Sequence, residues 1–335
     1  MRRFAGAGVL EACARLPSGL RPGVCTGEAP RHHLRGAAGA DDSDPDAFSR
    51  EGDTILVERP SYDLYLRLLE LEGVPVGTVH RSAEGLDLDQ LEERFKRGGI
   101  KFFYTMTRYH NPLGTSLLAE ERRAVAELAG KYGVYIVEDD YMSDLGLERR
   151  ADPIHAYDSS AHVIYLKSFS KIIFPGPRVG AAVLPERLLP AFQTYKRLAD
   201  LNTSFLSQAA LEIYIKNGMY QRHRHKISSM YTERMHALHQ ALKEADRDGR
   251  IEASNRSPGL GVYTQFKLSP KVNLDRLVKR LASRNIRVLG GQAFYLADYA
   301  VKDKFLRMSI SRARPEQIRI GIEALLEELK KLRLG

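Results

Sequence analysis

The chain has 335 residues, a formal net charge of +9, 43% hydrophobic residues and 28% charged ones, a balance typical of a soluble globular enzyme. Its length exceeds one ordinary core and implies a large domain with a smaller satellite. No apolar run approaches the ~20 residues that cross a bilayer, and the positive charge is spread along the chain without a recognition motif, which argues against membrane and nucleic-acid partners.

Residues 1–50 are rich in Ala, Gly, Arg and Pro and end in the run Asp41-Asp42-Ser43-Asp44-Pro45-Asp46. They show neither strand nor helix periodicity, so no firm secondary structure is expected there. Cys13 and Cys25 lack partners at metal-ligand spacing and read as free thiols. Phe4 to Leu10 is too short and glycine-rich for the apolar core of a signal peptide, so a cytoplasmic location is expected.

From Glu51 the texture becomes regular. Short β-branched or aromatic runs at 54–57, 101–104, 134–137, 163–166 and 180–184 alternate with amphipathic helices such as 87–95 and 118–132. This pattern predicts an α/β fold with a mostly parallel sheet covered by helices on both faces, and its chemistry should gather at the carboxyl ends of the strands. Beyond Asp200 one long helix, 207–245, carries the basic run Arg222-His223-Arg224-His225-Lys226 as a solvated face. A small α/β unit follows, with strands at 262–267, 286–289 and 305–309 and helices at 274–283 and 315–332, the last opened by Pro315-Glu316. The expected organisation is an atypical segment 1–50, a large domain 51–215, and a connecting helix with a small domain, 216–335.

Three polar clusters fall at predicted strand ends. Ser168-Phe169-Ser170-Lys171, with Arg178 seven residues on, suits covalent capture of a phosphate-bearing aldehyde: the amine forms a Schiff base while Ser168, Ser170 and Arg178 hold the phosphate. A lysine in a basic loop is otherwise simply solvated. Glu138-Asp139-Asp140-Tyr141 puts three acids behind a buried strand, which is costly unless they face a cation, a metal or a helix N-terminus. Asp139 could pair with a protonated pyridine nitrogen while the phenol of Tyr141 reaches a ring oxygen; a Mg²⁺ site or a helix cap are the rival readings. His110-Asn111-Pro112-Leu113-Gly114 is ordinary turn chemistry alone, but it sits at the same sheet edge as the other two.

In order and spacing, Asn111-Pro112-x-Gly114, Asp139-x-Tyr141, Ser168-x-Ser170-Lys171 and Arg178 resemble the class I/II aminotransferases of fold type I, and most of all the aminotransferase-like domain of MocR-type transcription regulators. The resemblance runs from about Glu51 to the C-terminus. It implies a pyridoxal 5'-phosphate cofactor, amino acid and 2-oxo acid substrates, and a homodimer with active sites at the subunit interface. Lys171 would carry the internal aldimine, Asp139 would bind the pyridinium nitrogen, and Asn111 with Tyr141 would bind the ring oxygen. Tyr62 matches the aromatic that stacks on the pyridine face, and Arg307 matches the arginine that clamps the substrate α-carboxylate. No metal is implied.

The start departs from that family. Where the family has a Ser/Thr-Gly-Ala-x-x-Ala turn opening a helix, this chain has Arg35-Gly36-Ala37-Ala38-Gly39-Ala40 followed by the acidic run. A divergent or frame-shifted start upstream of about Ser49 would remove phosphate donors and weaken cofactor binding. Three readings follow: an aminotransferase, a ligand-sensing half of a MocR-type regulator without its DNA-binding domain, and a catalytically impaired relative.

Overall fold

The computed structural model of the chain describes residues 24–27, 54–145, 152–173, 176–177, 179–200, 203–245 and 262–333. Arg178 and the 35–40 turn lie outside the described residues. The main sheet has seven strands: β1 (Val24–Gly27), β2 (Thr54–Arg59), β3 (Val76–His80), β4 (Ile100–Thr105), β5 (Tyr135–Asp140), β6 (Val163–Ser168) and β7 (Gly180–Val183), in the order β1-β7-β6-β5-β4-β2-β3. Strands β2 to β6 pair in parallel, whereas β7 runs antiparallel to β6 and β1 antiparallel to β7.

The alternation of each strand sends neighbouring residues into different cores. Ile55, Val57, Phe102, Tyr104 and Val137 enter one cluster, and Leu56, Phe103 and Ile136 enter the other. The second cluster is closed by α2 (Leu88–Arg97) through Leu91 and Phe95, and by α3 (Ala119–Tyr132) through Val125, Ala126 and Ala129. Asp87 caps α2 by accepting from the Gln90 N–H at 2.9 Å, and Gly133 ends α3 at φ 66°. On the first face lies α1 (Asp63–Leu71), with Leu66 and Leu69 buried.

After α4 (Leu189–Asp200), helices α5 (Phe205–Lys216) and α6 (Met219–Ala245) lead to a second unit. Its sheet is antiparallel, with β8 (Tyr263–Lys267), β10 (Phe305–Ser309) and β9 (Leu289–Gly290) in that order. Helices α7 (Leu274–Ser283) and α8 (Pro315–Arg333) cover it around Leu277, Leu281, Leu306, Ile322 and Leu325. Helix α6 serves both cores. Tyr220 and Tyr231 pack in the large one, and Met235, Leu238 and Leu242 pack in the small one.

Several elements differ from the sequence expectation. The single helix expected at 207–245 is two helices, because Gly218 adopts φ +67° after the C-cap Asn217. The strand expected at 286–289 shortens to Leu289–Gly290, and Ile286 and Val288 pack on the small core instead. Within the first fifty residues, Val24–Gly27 forms an edge strand on β7. Strand β5 continues through its acids to Asp140 rather than stopping at Val137. Edge strand β3 was not expected; its sequence Val-Gly-Thr-Val-His is mostly half-buried and weakly patterned. Among the described residues no helix is long and apolar enough to cross a membrane.

The two units meet at the turn after β4. Gly114 has φ +76°, and a Cβ there would lie 2.1 Å from the Tyr263 carbonyl oxygen. Glycine is therefore required on two counts: it tolerates the left-handed backbone, and it lets β8 approach the turn.

Candidate active site

Each of the three acids of β5 has its own partners. Glu138 accepts from Thr107 Oγ1 at 2.6 Å and from the backbone N–H groups of Ile154 and His155 at 2.9 and 3.1 Å. Burial, together with the neighbouring Asp140, pushes its carboxyl above the ordinary range. Asp140 pairs with Arg108, whose Nε lies at 3.1 Å, and accepts from the Tyr165 hydroxyl at 2.8 Å. Asp139 points to the opposite face, as the pleat requires. It is 2% exposed and accepts from the Tyr104 hydroxyl at 2.5 Å.

Asp139 lines a cavity of about 540 Å³ between the strand ends and the small unit, a volume ordinary for a cofactor site. Asn111, Tyr141 and Tyr62 line it from the large unit, as do Ser168, Ser170 and Lys171 from the β6 end. Seven of the nine residues singled out from sequence thus converge on one cavity. Arg307 reaches its edge from β10: Nη1 donates to Asn111 Oδ1 at 3.3 Å, while the buried Nε has no hydrogen-bond partner. The Tyr141 hydroxyl donates to the Tyr109 carbonyl at 2.5 Å, and Tyr109 is left-handed at φ 51°. The Ser168 hydroxyl accepts from the Ser170 N–H at 3.3 Å, closing the turn before Lys171. Among the described residues no three His, Cys, Asp or Glu side chains cluster to hold a metal ion.

Beneath Asn111 lies a buried charge network. Glu58, at the end of β2, accepts from Thr105 Oγ1 at 2.9 Å, from the Met106 N–H at 3.0 Å and from Arg81 Nη1 at 3.2 Å. His110 Nε2 sits 3.0 Å from its other oxygen. Burial works to raise the Glu58 carboxyl, but His110 and Arg81 beside it hold it below the ordinary range. Burial also pushes the His110 imidazole down, although Glu58 works against this. His110 Nδ1 accepts from the Leu113 N–H at 3.4 Å, so the ring stands between the Asn111 turn and Glu58.

Sequence reasoning missed Glu58 and Tyr263. An acid just before a strand-ending proline, in Glu58-Arg59-Pro60, carries the same signal as Glu138: a carboxylate behind a buried strand. Tyr263 gave no such signal, because its neighbours depend on the pairing of β8 with β10. Ile227, Met230 and Tyr231 of α6 also line the cavity, with Ser311 and Arg312 beyond β10.

The family model for aminotransferase class I and II matches residues 34–325, starting upstream of Glu51. YcxD of Bacillus subtilis (strain 168), an uncharacterized HTH-type transcriptional regulator, is 44% identical over 285 residues, covering 84% of this chain. The match spans only 64% of the length of YcxD. The 2-aminoadipate transaminase of Thermus thermophilus is 30% identical over 289 residues, covering 85% of this chain and 71% of that protein. The crystal structure of LysN, the alpha-aminoadipate aminotransferase of Thermus thermophilus complexed with N-(5'-phosphopyridoxyl)-L-leucine, superposes with a TM-score of 0.84. That match has 28% identity and covers 98% of this chain and 83% of LysN.

The His110 network has a pH signature. An unfolded histidine gains a proton near the ordinary value of 6.5, whereas the buried ring gains one only at lower pH. Its contribution is complete above that value and is lost as pH falls below it. Glu138 titrates in the wild type and in His110→Gln alike, whereas Glu58 loses in the variant the neighbour that lowers its carboxyl, so the difference between them reports on the His110–Glu58 pair. Urea unfolding should show the stability advantage of the wild type shrinking between about pH 7.5 and about pH 5.5. A constant advantage would contradict the assignment.

Proposed function

The chain belongs to the class I and II aminotransferases, and from that membership we propose that it is a pyridoxal-phosphate-dependent aminotransferase moving an amino group between an amino acid and a 2-oxo acid. One observation carries the reading. A single cavity gathers the Lys171 amine and the buried Asp139 carboxylate, and the Arg307 guanidinium meets its wall at Asn111. A dry carboxylate facing a cavity suits a cationic ring nitrogen, and a guanidinium beside the cavity wall suits an arriving carboxylate, so the residues present fit the cofactor and an amino acid.

In this reading Lys171 holds the cofactor covalently, and Asp139 keeps its ring nitrogen protonated. Asn111 and Tyr141 would hold the ring oxygen, and Tyr62 would pack on the ring. Ser168, Ser170 and Arg178 hold the phosphate. When bound, pyridoxal phosphate supplies a sink for the electrons released as an amino acid loses its Cα proton. The Lys171 amine takes and returns that proton. Arg307, steadied by Asn111, grips the α-carboxylate with its planar fork of donors.

The likeness to YcxD favours a second reading, in which the same site senses an amino acid within a longer regulator and turns over slowly. Both readings require the cofactor on Lys171. The purified protein should therefore be yellow, and borohydride should fix the cofactor to Lys171 and to no residue in Lys171→Ala. An adduct on another lysine, or none in a folded sample, would refute both.

The chain should also work as a homodimer. Helix α5 supports this by presenting Phe205, Leu206 and Ile213 to solvent at 69%, 80% and 56% exposure, a stripe that a second copy would cover. Light scattering at micromolar concentration should give twice the chain mass, and a monomer with full activity would contradict it.

A further inference from the structure

Tyr263 belongs to none of the sequence clusters, yet it meets three polar elements of the cavity. Its hydroxyl accepts from Lys171 Nζ at 3.5 Å, and the same amine lies 5.8 Å from its ring centroid. The Arg307 guanidinium lies over its ring at 4.6 Å. Its carbonyl oxygen faces Gly114 at the end of the Asn111 turn. The Tyr141 ring stands 6.5 Å away.

Strand register makes this arrangement. In the antiparallel pair of β8 and β10, Arg307 lies opposite Gln265. Tyr263 is two residues from Gln265 along β8, so it projects from the same face as Arg307 and is its diagonal neighbour. Both side chains stand on a paired sheet rather than on a loop, and the missing Cβ of Gly114 lets that sheet reach the large unit.

We propose that Tyr263 is a positioning residue that holds the Lys171 amine through its hydroxyl and the Arg307 guanidinium through its ring. The inference rests on the roles proposed for Lys171 and Arg307. A lysine amine ends a flexible four-carbon stem, and the phenol oxygen fixes where that amine waits in the cavity. Arg307 is flanked by two rings, Tyr263 and Phe294 at 5.4 Å, and by Asn111 Oδ1 at 3.3 Å. Cation–π contact orients the guanidinium plane without consuming its N–H donors, which stay available for a carboxylate. The two functions lie on different atoms of one side chain, so two substitutions separate them.

Tyr263→Phe keeps the ring and removes the hydroxyl, while Tyr263→Leu removes both. The cofactor-free chains would be mixed with pyridoxal phosphate, quenched with borohydride at intervals, and the adduct on Lys171 followed by mass spectrometry. The loaded chains would then be titrated with L-2-aminoadipate, following the visible absorbance to its half-saturating concentration. Tyr263→Phe should slow coupling at Lys171 about fivefold and leave half-saturation within about twofold of wild type. Tyr263→Leu should show the same coupling defect and raise half-saturation about fivefold or more. A residue that merely fills space would not split the two readouts. Coupling of Tyr263→Phe at the wild-type rate overturns the hydroxyl role, and equal half-saturation in the two variants, or no response in a wild-type chain that couples, overturns the ring role. A wild-type chain that never couples at Lys171 overturns the proposed function and this inference with it.

Discussion

Three consecutive carboxylates inside one strand set the terms for the rest of the molecule. Glu138, Asp139 and Asp140 are each nearly or wholly buried, and a buried carboxylate left without a partner costs roughly 3–5 kcal/mol. The strand can only persist if separate elements supply the partners. Thr107 and Arg108 come from the segment after β4, Tyr165 from β6, and the backbone of Ile154 and His155 from a short helical turn. Satisfying Glu138 and Asp140 from one face leaves Asp139 turned to the other, where Tyr104 and the cavity lie.

Glu58 repeats the device two strands over, on β2. Its partners Arg81, Thr105, Met106 and His110 join β2 to the end of β4 and to the segments after β3 and β4. His110 precedes Asn111, so charge pairing beneath the sheet edge fixes the turn that faces the cavity above it. The large unit thus presents a preorganised wall, and the small unit closes on it where Gly114 meets Tyr263. Preorganisation of this kind is what a site acting by orientation and electrostatics needs.

Much of this was legible in the sequence, and the failures have physical causes. Strand periodicity and polar strand ends located the three clusters, because local patterning and the cost of buried charge are both written in adjacent residues. The split between Asp139 and Asp140 follows from the period of a strand. The break at Gly218 was hidden because apolar residues continue on both sides of it. Tyr263 was hidden for a different reason: its position relative to Lys171 and Arg307 depends on the pairing of β8 with β10 and on the approach of two units, neither of which a single strand encodes. The family match beginning at residue 34 extends the relationship into the segment where the sequence alone pointed to divergence.

The central claim is that Asp139, alone among the three acids, serves a ring nitrogen. Absorbance titration with pyridoxal phosphate and with its analogue carrying carbon in place of that nitrogen tests it most directly, in the wild type and in Asp139→Asn. The wild type should prefer pyridoxal phosphate by about tenfold or more, and Asp139→Asn should lose most of that preference. An equal preference in both proteins would contradict the account.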